Sequence, residues 1–292
     1  MNKAGVRQWW GDSYQENARI WPRMFQTETS GKAFEEDVQS TGFGLMPQKP
    51  EGSALVYDTA SQGFIQRYTH ITYALGFVVT EEAIEDDQYM VVARKRSRSL
   101  GFSMRQTQET VAANVLNRAF TSAFAYGDGV ELISTVHPNF TGGTWSNELD
   151  PAADLSEASL EQLNIQIMNA QDDRGLQINL MSRSLIVPPA LAFEAHRILK
   201  SVQQNDTGNN AVNAIRDMGL FPDGIIVNPH LTDTDAYFIR TNCPDGLMAF
   251  MRRAASVQDD SDFDTSNMKV KGSFRASWGA TDARGVFGSG GA

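Results

Sequence analysis

Between Thr80 and Tyr126 the chain contains no proline and a single glycine, Gly101. That run constrains the fold more than any other feature. Its start is rich in acid, with Glu81, Glu82, Glu85, Asp86 and Asp87 behind Thr80. Acids suit the positive end of a helix dipole, and threonine suits the cap. Farther along, Ala112, Leu116, Ala119, Phe120 and Ala123, with Val111 and Val115 alongside, repeat at helical spacing. A helix of about 40 residues at ~1.5 Å each would be a rod of roughly 60 Å. Ordinary globular helices are several-fold shorter, so the run predicts a spine crossing a flat or elongated body. A break at Gly101, giving two helices, is the alternative.

A spine needs strands to lie on, and two strand-like runs precede it. SALVYDTA and GFIQRYTHITYALGFVVT are rich in Val, Ile, Thr, Tyr and Phe, and SQG between them reads as a hairpin turn. A long two-stranded hairpin is only marginally stable alone. It must be covered by its own core or by another copy of the chain. Before it, GFGLMPQKPEGS reads as a connector because Gly and Pro punctuate it. Residues 1 to about 35 hold Trp9, Trp10 and Trp21, three of the five tryptophans, together with Tyr14 and Phe25. Two readings stand: a helix packed on its own domain, or an arm whose aromatics anchor on a neighbouring subunit.

After the spine the pattern alternates. Asp154 with Glu157 reads as a capping box ahead of Leu160, Leu163 and Ile167. The strand SLIVPP leads into a helix with Leu191, Ala195, Ile198, Leu199 and Val202 on one face, and QQNDTGNNAVN reads as an exposed loop. Strands IIVN, AYFIRT and GLMAFMRR complete a mixed α+β domain over roughly residues 128–250. The tail from Lys269 reads as a strand followed by a frayed Gly and Ser end. No internal repeat is present.

The fractions of apolar and charged residues, 41% and 21%, are those of a folded chain. A net charge of -10 opposes attraction to nucleic acid and to anionic membranes. One cysteine, Cys243, permits no internal disulfide and no thiol zinc knuckle. No secretory signal and no run of about 20 apolar residues occurs, which predicts a soluble cytoplasmic protein.

Candidate chemistry is sparse. His70, His137, His196 and His230 form none of the zinc-hydrolase spacings. GDGVELISTVHP brings Asp128 and His137 together, yet no nucleophile motif accompanies them. The cluster Asp259, Asp260, Asp262 and Asp264 resembles a calcium loop but has Thr265 where glycine is needed and Lys271 where glutamate is needed. It reads as a solvated turn. Arg94, Lys95, Arg96 and Arg98 spread around a helix and read as a solvated or acid-paired face, with a weak contact to nucleic acid or a partner left open. GVFGSG is not a dinucleotide fingerprint.

The order of parts, together with GFVVTEEAIEDD, GDGVELISTVHP, LIVPPALAFEAHRILKS, FIRTNCPDGLMAFMRR and DARGVFG, resembles the major capsid proteins of tailed bacteriophages, including the head subunits of Mu-like phages. The resemblance implies an α+β Hong Kong 97-like fold: N-terminal arm at 1–41, extended β-hairpin loop at 42–79, and peripheral domain with spine helix at 80–127. The axial domain would span 128–250 and the peripheral C-terminal strands 251–292. It implies a structural, non-enzymatic protein that forms hexamers and pentamers of an icosahedral head around double-stranded DNA. Arm residues Trp9, Trp10, Tyr14, Trp21 and Phe25, and loop residues Tyr57, Phe64, Ile65 and Tyr68, would then lie at subunit interfaces.

No cofactor or metal is implied. The implied partners are further copies of the chain, a separate scaffolding protein suggested by the short arm, a portal and a cement protein, with assembly in the host cytoplasm. Residues 52–79 contain no lysine, so the covalent loop cross-link of some relatives is not expected. The alternatives are an encapsulin-like compartment shell and a hydrolase using His137.

Overall fold

The computed structural model describes residues 3–16, 18–85, 89–203, 212–261 and 266–292. Asp86 and Asp87, most of the polar run after Gln203, and Asp262 and Asp264 lie outside the described residues. In chain order the first elements are α1 (Lys3–Glu16), α2 (Trp21–Met24), β1 (Gln26–Thr29), β2 (Phe34–Ser40), β3 (Gln62–Thr69) and β4 (Ile71–Val79). Next come α3 (Glu81–Glu85), α4 (Tyr89–Asn117), β5 (His137–Pro138), β6 (Thr144–Trp145), α5 (Glu157–Met168) and β7 (Ser182–Val187). The remainder are α6 (Ala192–Lys200), α7 (Ala214–Asp217), β8 (Ile225–Val227), β9 (Tyr237–Thr241), β10 (Leu247–Ser261), β11 (Met268–Ala280) and β12 (Val286–Ser289).

The described spine is α4, 29 residues long and therefore about 44 Å, with α3 ahead of it on the other side of residues that lie outside the described ones. It runs unbroken through Gly101. One stripe of it is buried: Ala93, Ser97, Leu100, Met104, Gln108, Ala112, Val115 and Leu116. The spacing follows the helical period, while Arg94, Lys95, Arg96 and Arg98 face solvent. Beyond Asn117 the chain tightens into turns, with Ala119 N donating to Leu116 O and Thr121 N to Arg118 O. The Asn117 amide instead binds the His230 carbonyl and the Thr232 N–H of a neighbouring loop. Ala119 stays in the core, but Ala123 is exposed.

Strands order as β1-β10-β11-β4 in one sheet and β12-β9-β7-β8 in another. The second sheet sits between two cores, as period-two alternation requires. Leu185, Val187, Tyr237, Ile239 and Phe287 face α5 and α6. Ile186, Ile226, Phe238 and Val286 face the central core with Leu116, Trp21, Phe25 and Leu247. A third core joins α1, α4 and β11 through Val6, Tyr14, Leu100, Met104 and Phe274.

Three boundaries differ from expectation. The run 62–79 is two strands in two sheets, split at His70, whose ring nitrogens each lie 3.0 Å from Ser277 Oγ and Ser30 Oγ. The hairpin is therefore β2 with β3, and SALVYDTA forms no strand. Leu247 begins β10 in the first sheet, ahead of the expected domain boundary at residue 250. The C-terminal stretch is not frayed: Val286–Ser289 is fully buried and pairs with β9, returning the chain to the mixed domain. Gly288 makes this possible, because a Cβ there would lie 2.8 Å from Tyr237 O. The cap of α5 also differs: Ser156 and Ser159 form the reciprocal pair, and Glu157 is its first residue.

Candidate functional site

The hairpin projects a distal loop, residues 41–61, from a closed neck. Thr41 N and Thr41 Oγ1 both donate to Ser61 O, and Ser61 N returns a bond to Thr41 Oγ1. Within the loop Asp58 accepts from Gly44 N and Thr59 N, and Arg174 of the mixed domain clamps it at 2.6 Å. Those two N–H groups, with Arg174, hold the Asp58 carboxyl below its ordinary range. The loop is thus tethered at its polar residues. Its apolar residues are bare: Leu45 is 81% exposed, Met46 96% and Tyr57 90%, with Phe43, Leu55 and Val56 also exposed. Covering one such side chain contributes about 1.5–3 kcal/mol, and no described residue of this chain does so. Ile65 pairs across the hairpin with Val38, and both are part of the same exposed stretch.

Most of the other expected interface residues serve this chain instead. Phe64 packs edge-on against Phe140 at 6.1 Å. Tyr68 is buried against Phe250, its hydroxyl 2.7 Å from Thr281 Oγ1, and burial pushes its pKa far above the ordinary value. Tyr14, Trp21 and Phe25 are buried in the chain's own cores, and Trp9 and Trp10 are half-buried beside them. Three anchors hold these aromatics to their own chain. Trp10 Nε1 donates to Met104 Sδ, and Arg105 stacks its guanidinium on the Tyr14 ring at 3.9 Å while donating to Tyr14 O. Glu109 accepts from Ile20 N and Trp21 N.

Sequence reading missed Phe43, Leu45, Met46, Leu55 and Val56. The first three sit among glycines and prolines, where no period marks an apolar face; their bare apolarity inside a connector was the only signal. Lys49 also lies on this loop and is exposed, ahead of the lysine-free residues 52–79.

His137 is fully buried. Its Nδ1 lies 2.6 Å from Asp128 Oδ2, its Nε2 3.0 Å from Asn147 Oδ1, and its ring stacks on Trp145 at 4.6 Å. The Asn147 amide is fixed by donating to Leu132 O, Ala283 O and Val286 O and by accepting from Ser134 N. This is a sealed joint between the post-spine corner and the C-terminal return, with no hydroxyl or thiol among the ring's partners. Arg284 extends the joint, stacking on Trp145 and pairing with Asp173 at 3.0 Å. Burial pushes the Cys243 thiol up, which disfavours the thiolate nucleophile. Among the described residues no group of three His, Cys, Asp or Glu is arranged to hold a metal. No described helix is long and apolar enough to cross a membrane.

A family model described as phage capsid protein matches residues 65–288. Among solved structures, the chain is similar to the virus-like particle from Pyrococcus furiosus, at 11% identity and TM-score 0.57 over 98% of both chains. It is similar to a chain of Mycobacterium phage Che8, at 13% identity and TM-score 0.54 over 93% of this chain and 90% of that one. The procapsid of bacteriophage JBD30 matches at 13% identity and TM-score 0.52, over 98% of this chain and 73% of its own. No protein of curated function matches the sequence.

Proposed function

The chain belongs to the phage capsid protein family, has the Hong Kong 97-like fold and is a major capsid protein; from that premise we propose how it assembles. Copies of it join as hexamers and pentamers into an icosahedral head around double-stranded DNA, each covering the distal loop of a neighbour. The observation that carries this reading is the loop itself: Leu45, Met46 and Tyr57 are more than four-fifths exposed on a segment that its polar contacts hold in place. A protein that stayed alone would leave that surface to water, and a repeated contact between copies removes it. The net charge of -10 supports a lining that does not grip packaged phosphate tightly. The sealed His137 joint supports a structural rather than catalytic role.

The proposal includes a scaffolding protein, a portal and a cement protein as partners, as the resemblance implies, and assembly in the host cytoplasm. A second reading, an encapsulin-like compartment shell, shares the same fold. Particle contents separate the two, DNA for a head and a packaged enzyme for a compartment. The test is electron microscopy and sedimentation of the purified protein beside a Leu45→Ser, Met46→Ser, Tyr57→Ser variant. Shells from the natural chain, and none from a variant of unchanged melting temperature, are expected. A natural chain that stays monomeric at high concentration, or a variant that assembles equally well, overturns the proposal.

A further inference from the structure

An open groove of about 450 Å³ lies between the hairpin, the start of β4 and the end of the spine. A volume of that size suits a small organic ligand. Four aromatic residues on its wall are Tyr73, Phe124, Tyr126 and Trp278, and with them stand two arginines, Arg67 of β3 and Arg118, which follows the last residue of α4. No Asp or Glu is among its lining residues, although the chain carries 35 acids against 25 bases.

Neither arginine is held by a strong ion pair. Arg118 stands over the Phe124 ring at 4.4 Å, and among the described residues no carboxylate pairs with it and no oxygen accepts from its guanidinium. Arg67 stands over the Phe34 ring at 3.8 Å; its contact with Glu36 is 3.8 Å long, with both side chains about half-exposed, so water screens it. A guanidinium braced on a ring face keeps its N–H edges free, and those edges match a phosphate. The Arg118 charge also reaches the Tyr73 and Tyr126 hydroxyls, which puts the cation and the flat rings in one space. Carbonyls at the end of a helix repel an anion, but here Leu116 O accepts from Ala119 N, Arg118 O from Thr121 N and Ala119 O from Ile133 N.

We infer that this groove binds a free nucleoside monophosphate, its phosphate held by Arg118 and Arg67 and its base against the aromatic lining. Two cations suit a phosphate dianion, and aromatic faces suit a planar base whatever its sequence identity. A strand of nucleic acid is the poorer occupant. The net charge of -10 repels a polyanion along its length, whereas a small dianion in the groove feels mainly the charges within a Debye length of about 8 Å. Arg67 belongs to the hairpin and Arg118 to the end of the spine, so a bound nucleotide ties the two elements together and stabilises that arrangement by mass action. The inference stands on the groove alone and does not depend on assembly.

Calorimetric titration of the purified protein with deoxyadenosine monophosphate tests this. One site per chain is expected, and Arg118→Met and Arg67→Met should each weaken it about tenfold or more at unchanged melting temperature. Arg118→Lys keeps the charge but not the planar fork and should fall between the natural chain and Arg118→Met. Deoxyadenosine, which lacks the phosphate, and inorganic phosphate, which lacks the base, should each bind about tenfold more weakly or worse. Bound nucleotide should also slow amide exchange in residues 66–69 and 118–126 together. The inference is overturned if the protein takes up no nucleotide at millimolar concentration, or if either methionine variant binds like the natural chain. Tighter binding of a short single-stranded oligodeoxyadenylate, or of a peptide of alternating aspartate and phenylalanine, overturns it equally and reassigns the groove to a nucleic-acid strand or to a protein segment.

Discussion

Replacing Gly101 by alanine sets two effects of known sign against each other. In an open helix the change stabilises, by about 1 kcal/mol, because alanine is the better helix former. Here the spine passes beneath α1 at that point. A Cβ on residue 101 would lie 2.6 Å from Trp10 O, 3.1 Å from Tyr14 N and 3.3 Å from Ser13 Cβ. The two nearest atoms are backbone, so no side-chain rotation relieves the clash, and α1 must lift by the better part of an ångström to restore contact distance. Overpacking of this kind costs typically about 1–3 kcal/mol. The lift also stretches the Arg105 bonds to Tyr14 O and the Tyr14 hydroxyl bond to Gln108, each worth about 1 kcal/mol or more. The expected net is a destabilisation of about 1–3 kcal/mol. Urea unfolding followed by tryptophan fluorescence measures it, since Trp9 and Trp10 lie on the displaced helix, and amide exchange should rise across residues 5–16. A variant more stable than the natural protein by about 1 kcal/mol, with α1 still protected, would refute the cis-docked helix.

Two further outcomes test the interior. Asn147→Ala removes a buried amide that bonds five groups; with three carbonyls losing that donor and the His137 ring freed, about 3–4 kcal/mol of stability should be lost in urea unfolding, and a loss under 1 kcal/mol would contradict the joint. Burial, then the Arg275 charge, lowers the His70 pKa below 6.5; Arg252 lowers it too and Glu35 opposes. The unfolded state therefore binds the proton first, so stability is intact above about pH 6.5 and falls as the pH drops below it. His70→Asn should flatten that slope between pH 7 and 5, and an unchanged slope would exclude His70 as its source.

Local pattern made much of the architecture legible. The buried stripe of α4, the apolar faces of α5 and α6, and the strands around Leu185, Ile226 and Phe238 all follow from residue period, because a helix or strand repeats its face over neighbouring positions. Asp128 and His137 stand together in the sequence, but nothing there singles out their partner Asn147. Partner choice was not legible. Trp10 and Tyr14 carry the same aromatic signal whether they dock on their own spine or on another copy's, and only the bare backbone at Gly101 with the Arg105 clamp settles it.

Likewise, SALVYDTA has strand composition but no ladder to join, while GVFGSG has loop composition and is buried as a strand. The amino-acid order determined the spine, the alternation of elements and the surplus of apolar side chains that makes a shell subunit. Tertiary structure decided which of those side chains the chain keeps and which it leaves exposed. Pairing energy depends on complementarity between segments distant in the chain, and that property belongs to no single stretch of sequence.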